Sequence, residues 1–96
     1  MLYFLHMQIF NKLLNIKETI DVYLSNPDQV LYQGKATGFS SFNKDGEFSI
    51  ISKHTNFRSL IENKILIHIN NKETKEFKIT KGVVSFANNS LEAYVV

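Results

Sequence analysis

Cysteine and tryptophan do not occur in the 96 residues, and there is a single proline. Without cysteine the chain has no disulfide framework and no thiolate metal site, which fits a reducing compartment. A charge of one sign is missing as well. Eleven Lys and Arg stand against nine Asp and Glu, and a net +2 without a basic stripe argues against nucleic acid as a partner. No apolar run reaches the roughly 18 residues of a membrane span, because Asn11 and Lys12 cut MLYFLHMQIF short. That stretch also lacks a basic lead and an Ala-x-Ala step, so neither a secretory leader nor direct membrane insertion is expected.

Catalytic signatures are just as scarce. His6, His54 and His68 show no metal-ligand spacing, Gly34-Lys35 has no upstream glycine at phosphate-loop spacing, and no Gly-x-Ser-x-Gly elbow occurs. Asp45, Glu47 and Glu62 would form an acid pair only if the fold brought two of them together, and carboxylates at turns are more often solvated. No cofactor, metal or enzymatic activity is expected. Asn88-Asn89-Ser90 has the form of a glycosylation sequon but reads as a turn.

What is present is a domain's worth of core and a change of period. Hydrophobic residues at 44% against 21% charged suit one globular domain rather than a disordered chain. Residues 1–18 form an N-terminal extension, with Met1 or Met7 as its start. Within it Ile9, Leu13 and Ile16 recur at helical spacing, so a short amphipathic helix is predicted, with an extra strand as the alternative. From residue 19 the period becomes two. Ile20, Val22 and Leu24 share one face, and Asn26-Pro27-Asp28 ends the strand. Strands are then expected over 30–33, over 35–42 with a bulge or a close backbone approach at Gly38, and from Glu47 to Ile50. Between the last two, Asn43-Lys44-Asp45-Gly46 is a hairpin signal, with Asp-Gly taking positive φ.

A loop carrying His54 is expected over 52–63, followed by a strand with Ile65, Ile67 and Ile69 on one face and His68 on the other. Asn70-Asn71 turns the chain, Lys81-Gly82 breaks a strand marked by Phe77 and Ile79, and Asn88-Asn89-Ser90 makes a last turn. About eight short strands with turns at this spacing predict an all-β fold over residues 19–96: a two-sheet, mainly antiparallel β-sandwich. Its expected core holds Ile20, Val22, Leu24, Phe48, Ile50, Ile67, Phe77, Ile79 and Phe86.

The order of these segments resembles the N-terminal β-sandwich domain of the ε subunit of F-type ATP synthases, named δ in mitochondria. The likeness is carried by Val22 to Asp28 running into Val30-Leu31-Tyr32-Gln33-Gly34, and by Gly46-Glu47-Phe48-Ser49-Ile50-Ile51-Ser52-Lys53-His54 in the frame of Gly-Glu-x-Gly-Ile-x-Pro-x-His. Leu60, the strand Ile65 to Ile69, and Lys81-Gly82-Val83 to Asn89 follow in order. Ser49, Ser52 and Lys81 depart from the family's Gly, Pro and Gly. The family usually continues beyond the position of Val96 into a two-helix hairpin, whose inhibitory contacts and ATP site are not carried over.

The resemblance implies a non-catalytic central-stalk subunit. It would bind the γ subunit, rest on the polar loops of the c-ring, and couple rotation and proton translocation to ATP synthesis. The implied location is cytoplasmic, peripherally attached to the inner membrane through the complex. By the same resemblance Asp45, Glu47 and His54 form a c-ring-facing end of the domain. From the residues alone, a free-standing β-sandwich module binding another protein or a glycan stays open, as does a weaker hydrolase reading on Glu47 and His54.

Overall fold

A computed structural model describes residues 18–96. The N-terminal extension lies, apart from Glu18, outside the described residues, and so does its expected helix or strand. Seven strands follow: β1 (Ile20–Ser25), β2 (Val30–Ala36), β3 (Gly38–Asn43), β4 (Gly46–Ile51), β5 (Phe57–His68), β6 (Thr74–Ala87) and β7 (Ser90–Val95). They hydrogen-bond in the order β2-β1-β7-β6-β5-β3-β4. Every neighbouring pair is antiparallel except β1 with β7, which is parallel.

This order cannot lie flat. β2 and β3 stand five strand spacings apart, about 24 Å at ~4.8 Å per spacing. Yet Thr37 alone links them, and two Cα steps reach no more than about 7.6 Å. The sheet must fold over on itself. Residues 57–62 of β5 pair with residues 81–86 of β6, beside β7, β1 and β2. Residues 64–68 pair with 74–78 and lie beside β3 and β4. The result is a β-sandwich whose two layers share β5 and β6.

Local geometry makes the corner. The β5–β6 register slips between Glu62 and Lys64, around Asn63 at φ 81, because a one-residue bulge bends and twists its strand. Asn tolerates this left-handed backbone better than most residues. On β6 the slip falls between Lys78 and Lys81, and just past it, at Gly82, a Cβ would sit 2.6 Å from the Tyr94 carbonyl oxygen. Only glycine lets β6 and β7 come that close.

The inward side of both layers forms one core. Ile20, Val22 and Leu24 of β1 are buried as expected, as are Ile50, Ile67 and Phe86. Phe48, Phe77 and Ile79 are half-buried against this core rather than inside it. Ile65 is buried on the face it shares with Ile67, and Phe39, Ile61, Val84 and Leu91 are buried members that the sequence pattern had not singled out.

Four expectations are corrected. The strand expected to break at Lys81-Gly82 is continuous from Thr74 to Ala87, so seven strands replace about eight. The loop expected over 52–63 ends at residue 56, where β5 begins. Gly38 opens β3 rather than bulging within a strand, and the irregularity against β5 falls between Ser40 and Phe42. In the hairpin the turn residues are Lys44 and Asp45; the positive φ belongs to Gly46 (116°) and not to Asp45.

Replacing Gly82 with Ala forces the β6–β7 backbones apart and is expected to cost about 1–3 kcal/mol. Denaturant melts check this, and a loss below about 0.5 kcal/mol would mean that the strands yield at no cost and that glycine is dispensable at the corner.

Candidate functional site

Asp45, Glu47 and His54 do not form one cluster. Asp45 is exposed at the tip of the β3–β4 hairpin, its amide donating to Asn43 Oδ1 (2.8 Å) in a side-chain-closed turn. Glu47 is exposed one residue into β4, opposite Phe42. His54 lies beyond the other end of β4, in a turn closed by its own amide on the Ile51 carbonyl (3.1 Å). At ~3.3 Å per residue the strand holds the two ends about 17 Å apart.

The loop around His54 is tied down rather than free. Its ring is half-buried and stands edge-on to Phe57 and Phe86, with centroids 5.8 and 6.0 Å away. Nδ1 donates to the Thr55 carbonyl (2.7 Å). Lys53 takes φ 68, donates its amide to Asn89 Oδ1 (3.4 Å), and pairs with Glu18 at 3.1 Å. The Asn89 side chain in turn donates to the Thr19 carbonyl (2.7 Å). These contacts join the start of β1, the 52–56 loop and the Asn88–Asn89 turn.

Of the carboxylates, Asp45 and Glu62 line one groove of about 440 Å³ with Lys44 and Lys81, whereas Glu47 does not line it. Among the described residues no three His, Asp or Glu side chains gather closely enough to hold a metal ion.

One serine–histidine contact exists elsewhere. His68 Nε2 lies 3.0 Å from Ser40 Oγ, and Nδ1 lies 3.3 Å from Thr74 Oγ1. Ser40 is only 4% exposed and shares its hydroxyl with Ser49 at 2.7 Å. With a threonine in place of an orienting carboxylate and no room for substrate at Ser40, these four side chains lace β6, β5, β3 and β4 together.

The most conspicuous surface feature lies on the outer side of the first layer. Leu60 pairs with Val83 and Val83 with Tyr94, so three apolar side chains from β5, β6 and β7 form a row across the strands. They are 78%, 38% and 49% exposed. Pro27, Val95 and Val96 complete a groove of about 570 Å³ along it. The Tyr94 phenol is held above its ordinary value of 10.0, by partial burial first and then by the negative charge of Glu92. The next outward row, Tyr23–Glu92–Ser85–Arg58, carries charge at two positions. Sequence reading missed this stripe because it placed Leu60 in a loop. The available signal was the alternation of Phe57, Ser59 and Ile61 with Arg58, Leu60 and Glu62.

No helix among the described residues is long and apolar enough to cross a membrane. Among curated proteins none matches the chain. In three dimensions it is similar to a chain in the cryo-EM structure of the Euglena gracilis mitochondrial ATP synthase (OSCP/F1/c-ring, rotational state 1). The TM-score is 0.77 at 14% identity, over 85% of this chain and 53% of that one. It is also similar to a chain of the Tetrahymena thermophila mitochondrial ATP synthase central stalk and c-ring, with TM-score 0.68 and 18% identity over 83% of this chain and 65% of that one. The chain thus spans about half to two thirds of the length of these relatives. The family model for the ATP synthase Delta/Epsilon chain β-sandwich domain matches residues 19–95, which takes in all seven strands from β1 to β7, and the chain belongs to that family.

Proposed function

We propose that this chain is a non-catalytic rotor subunit of an F-type ATP synthase, binding γ and resting on the c-ring so that rotation in one motor drives the other. The observation that carries the reading is the family domain over residues 19–95. In this role the chain works at the membrane surface through the complex, without crossing the bilayer and without turning over nucleotide.

The surfaces divide the two contacts between them. The Leu60–Val83–Tyr94 row is exposed and apolar, the kind of patch that marks a protein interface, and it is assigned to γ. The exposed Asp45–Glu47 hairpin supports the contact with polar c-ring loops. His54, at the other end of β4, orders its own loop and carries no ring contact.

Leu60→Asp places a charge in the middle of the stripe while disturbing little of the core, since Leu60 points outward. Retention on purified γ from the same source is expected to fall at least tenfold, about 1.4 kcal/mol. Unchanged retention would take γ off this face.

Glu47→Lys turns attraction to the ring loops into repulsion. Docking on a γ–c-ring assembly is expected to weaken roughly tenfold, and more at low salt than at high salt, where the Debye length shrinks. Equal docking across a salt series would remove the hairpin from the interface.

His54→Ala leaves docking unchanged but loses two edge-on aromatic contacts. A loss of about 0.5–1.5 kcal/mol in denaturant melts is expected, in contrast to the neutral effect that a freely solvated loop would give.

A further inference from the structure

Three outward rows cross β7, β6 and β5. The middle one is Tyr94–Val83–Leu60, with Leu60 78% exposed at one flank. Two residues along the strands in one direction lies Glu92–Ser85–Arg58, and in the other lies Val96–Lys81–Glu62. Glu92 and Arg58 are exposed at the two flanks of their row, with opposite charge and the short Ser85 between them.

Such a face is complementary to itself. In a face-to-face pair related by a two-fold axis along β6, the two β6 strands lie over each other and β5 of each copy lies over β7 of the other. Each Leu60 then falls on the Tyr94 side of the other copy's groove, towards its Pro27 and Val96. Each Arg58 faces the other copy's Glu92, so the row forms two symmetric ion pairs. An axis across the strands fits less well. It pairs Arg58 with Glu62, but sets Leu60 on Leu60, opens groove onto groove and leaves Glu92 opposite Val96. With the axis along β6, Lys81 meets its own copy, but it is exposed and has Glu62 as its cross-strand neighbour.

We propose that in the absence of γ two copies of this chain dock face to face through these rows, about a two-fold axis along β6. The pairing stands on the pattern of the face alone; only its competition with γ rests on the rotor reading. The rows span about 14 Å across the strands and about 20 Å along them, at ~4.8 Å per strand and ~3.3 Å per residue. That flat area, on the order of 300 Å², is far below the ~800 Å² per partner of a standard interface, so the dimer is weak and reversible. It covers the apolar face at high concentration and yields to a partner that buries more of it.

Sedimentation equilibrium of the full chain without γ, from micromolar to millimolar concentration, reads the dimer directly. Arg58→Glu sets like charges against each other twice, by symmetry, and is expected to weaken the dimer about tenfold, as is Leu60→Asp. The double variant Arg58→Glu/Glu92→Arg restores opposite charges across the axis and is expected to return the affinity to within about threefold of the unmodified chain. All three positions are exposed, and circular dichroism with thermal melts verifies that each variant is folded. A chain that stays monomeric at millimolar concentration overturns the proposal, as does a dimer indifferent to Leu60→Asp. Failure of the double variant to recover, or recovery by Arg58→Glu/Glu62→Arg instead, overturns the axis along β6. Because γ takes no part, a monomeric chain leaves the rotor reading standing, and unchanged γ retention by Leu60→Asp leaves the dimer standing.

Discussion

The pairing of β5 with β6 is the constraint on which the rest of the domain depends. This one ladder runs from Phe57 opposite Phe86 to His68 opposite Thr74 and passes through both layers. Its corner has Asn63 in a left-handed conformation at the register slip, and Gly82, opposite Ile61 just beyond it, leaves no room for a side chain against β7. Were the ladder to stay flat, the single residue Thr37 could not carry the chain from β2 to β3. Closure of the fold therefore rests on a bend that local sequence builds.

The bend also explains the buried polar groups. Ser41 points into the core at 1% exposure, and its hydroxyl donates to the Lys64 carbonyl (2.8 Å), immediately after the bulge. An unpaired backbone carbonyl there would be costly; a serine on the neighbouring strand satisfies it and pins the corner. Thr37 does the same at the crossover, where both its amide and its hydroxyl donate to the His68 carbonyl, at 2.7 and 2.8 Å. Among the described residues no buried side-chain polar atom is left without a partner. Two of the places where the chain changes layer are thus also places where hydroxyls meet backbone.

Much of the fold was legible because period two survives wherever a strand pairs regularly. Ile20, Val22 and Leu24 pointed inward as their spacing required, and the turns at Pro27, at Asn43–Gly46 and at Asn88–Asn89 were marked by their residue types. The reading lost its way where the period is interrupted. β5 keeps its alternation, with Phe57, Ser59, Ile61, Ile65 and Ile67 inward, but the polar run Glu62-Asn63-Lys64 hides its continuity. The extra residue lies on β6, where the inward positions pass from Phe77 and Ile79 to Val84 and Phe86. Gly82 reads as a breaker because its purpose, the close approach of β7, is visible only in three dimensions. The site was less legible than the fold. Asp45, Glu47 and His54 are near in sequence, but proximity along a strand means separation in space, and the most exposed apolar row comes from three strands about ten or more residues apart in the chain.

In the rotor reading, a subunit that relays torque between γ and the c-ring must resist shear between its two contact surfaces. A sandwich of two independent sheets can slide, since only side chains join its faces. Here β5 and β6 belong to both layers, so displacement of one layer against the other has to stretch backbone hydrogen bonds or unwind the Asn63–Gly82 corner. The stripe sits on the layer containing β7 and the first half of β5, while the Asp45–Glu47 hairpin sits on the layer containing β3 and β4. The two proposed contacts adjoin at a groove that Asp45 and Leu60 both line, beside the bond from Asn43 Nδ2 to Ser59 Oγ (3.2 Å). Load passing between them crosses directly from the β3–β4 hairpin into β5, while the shared β5–β6 ladder keeps the two layers from sliding, which is the mechanical property that a stalk element needs and that a loop-mediated binding module does not.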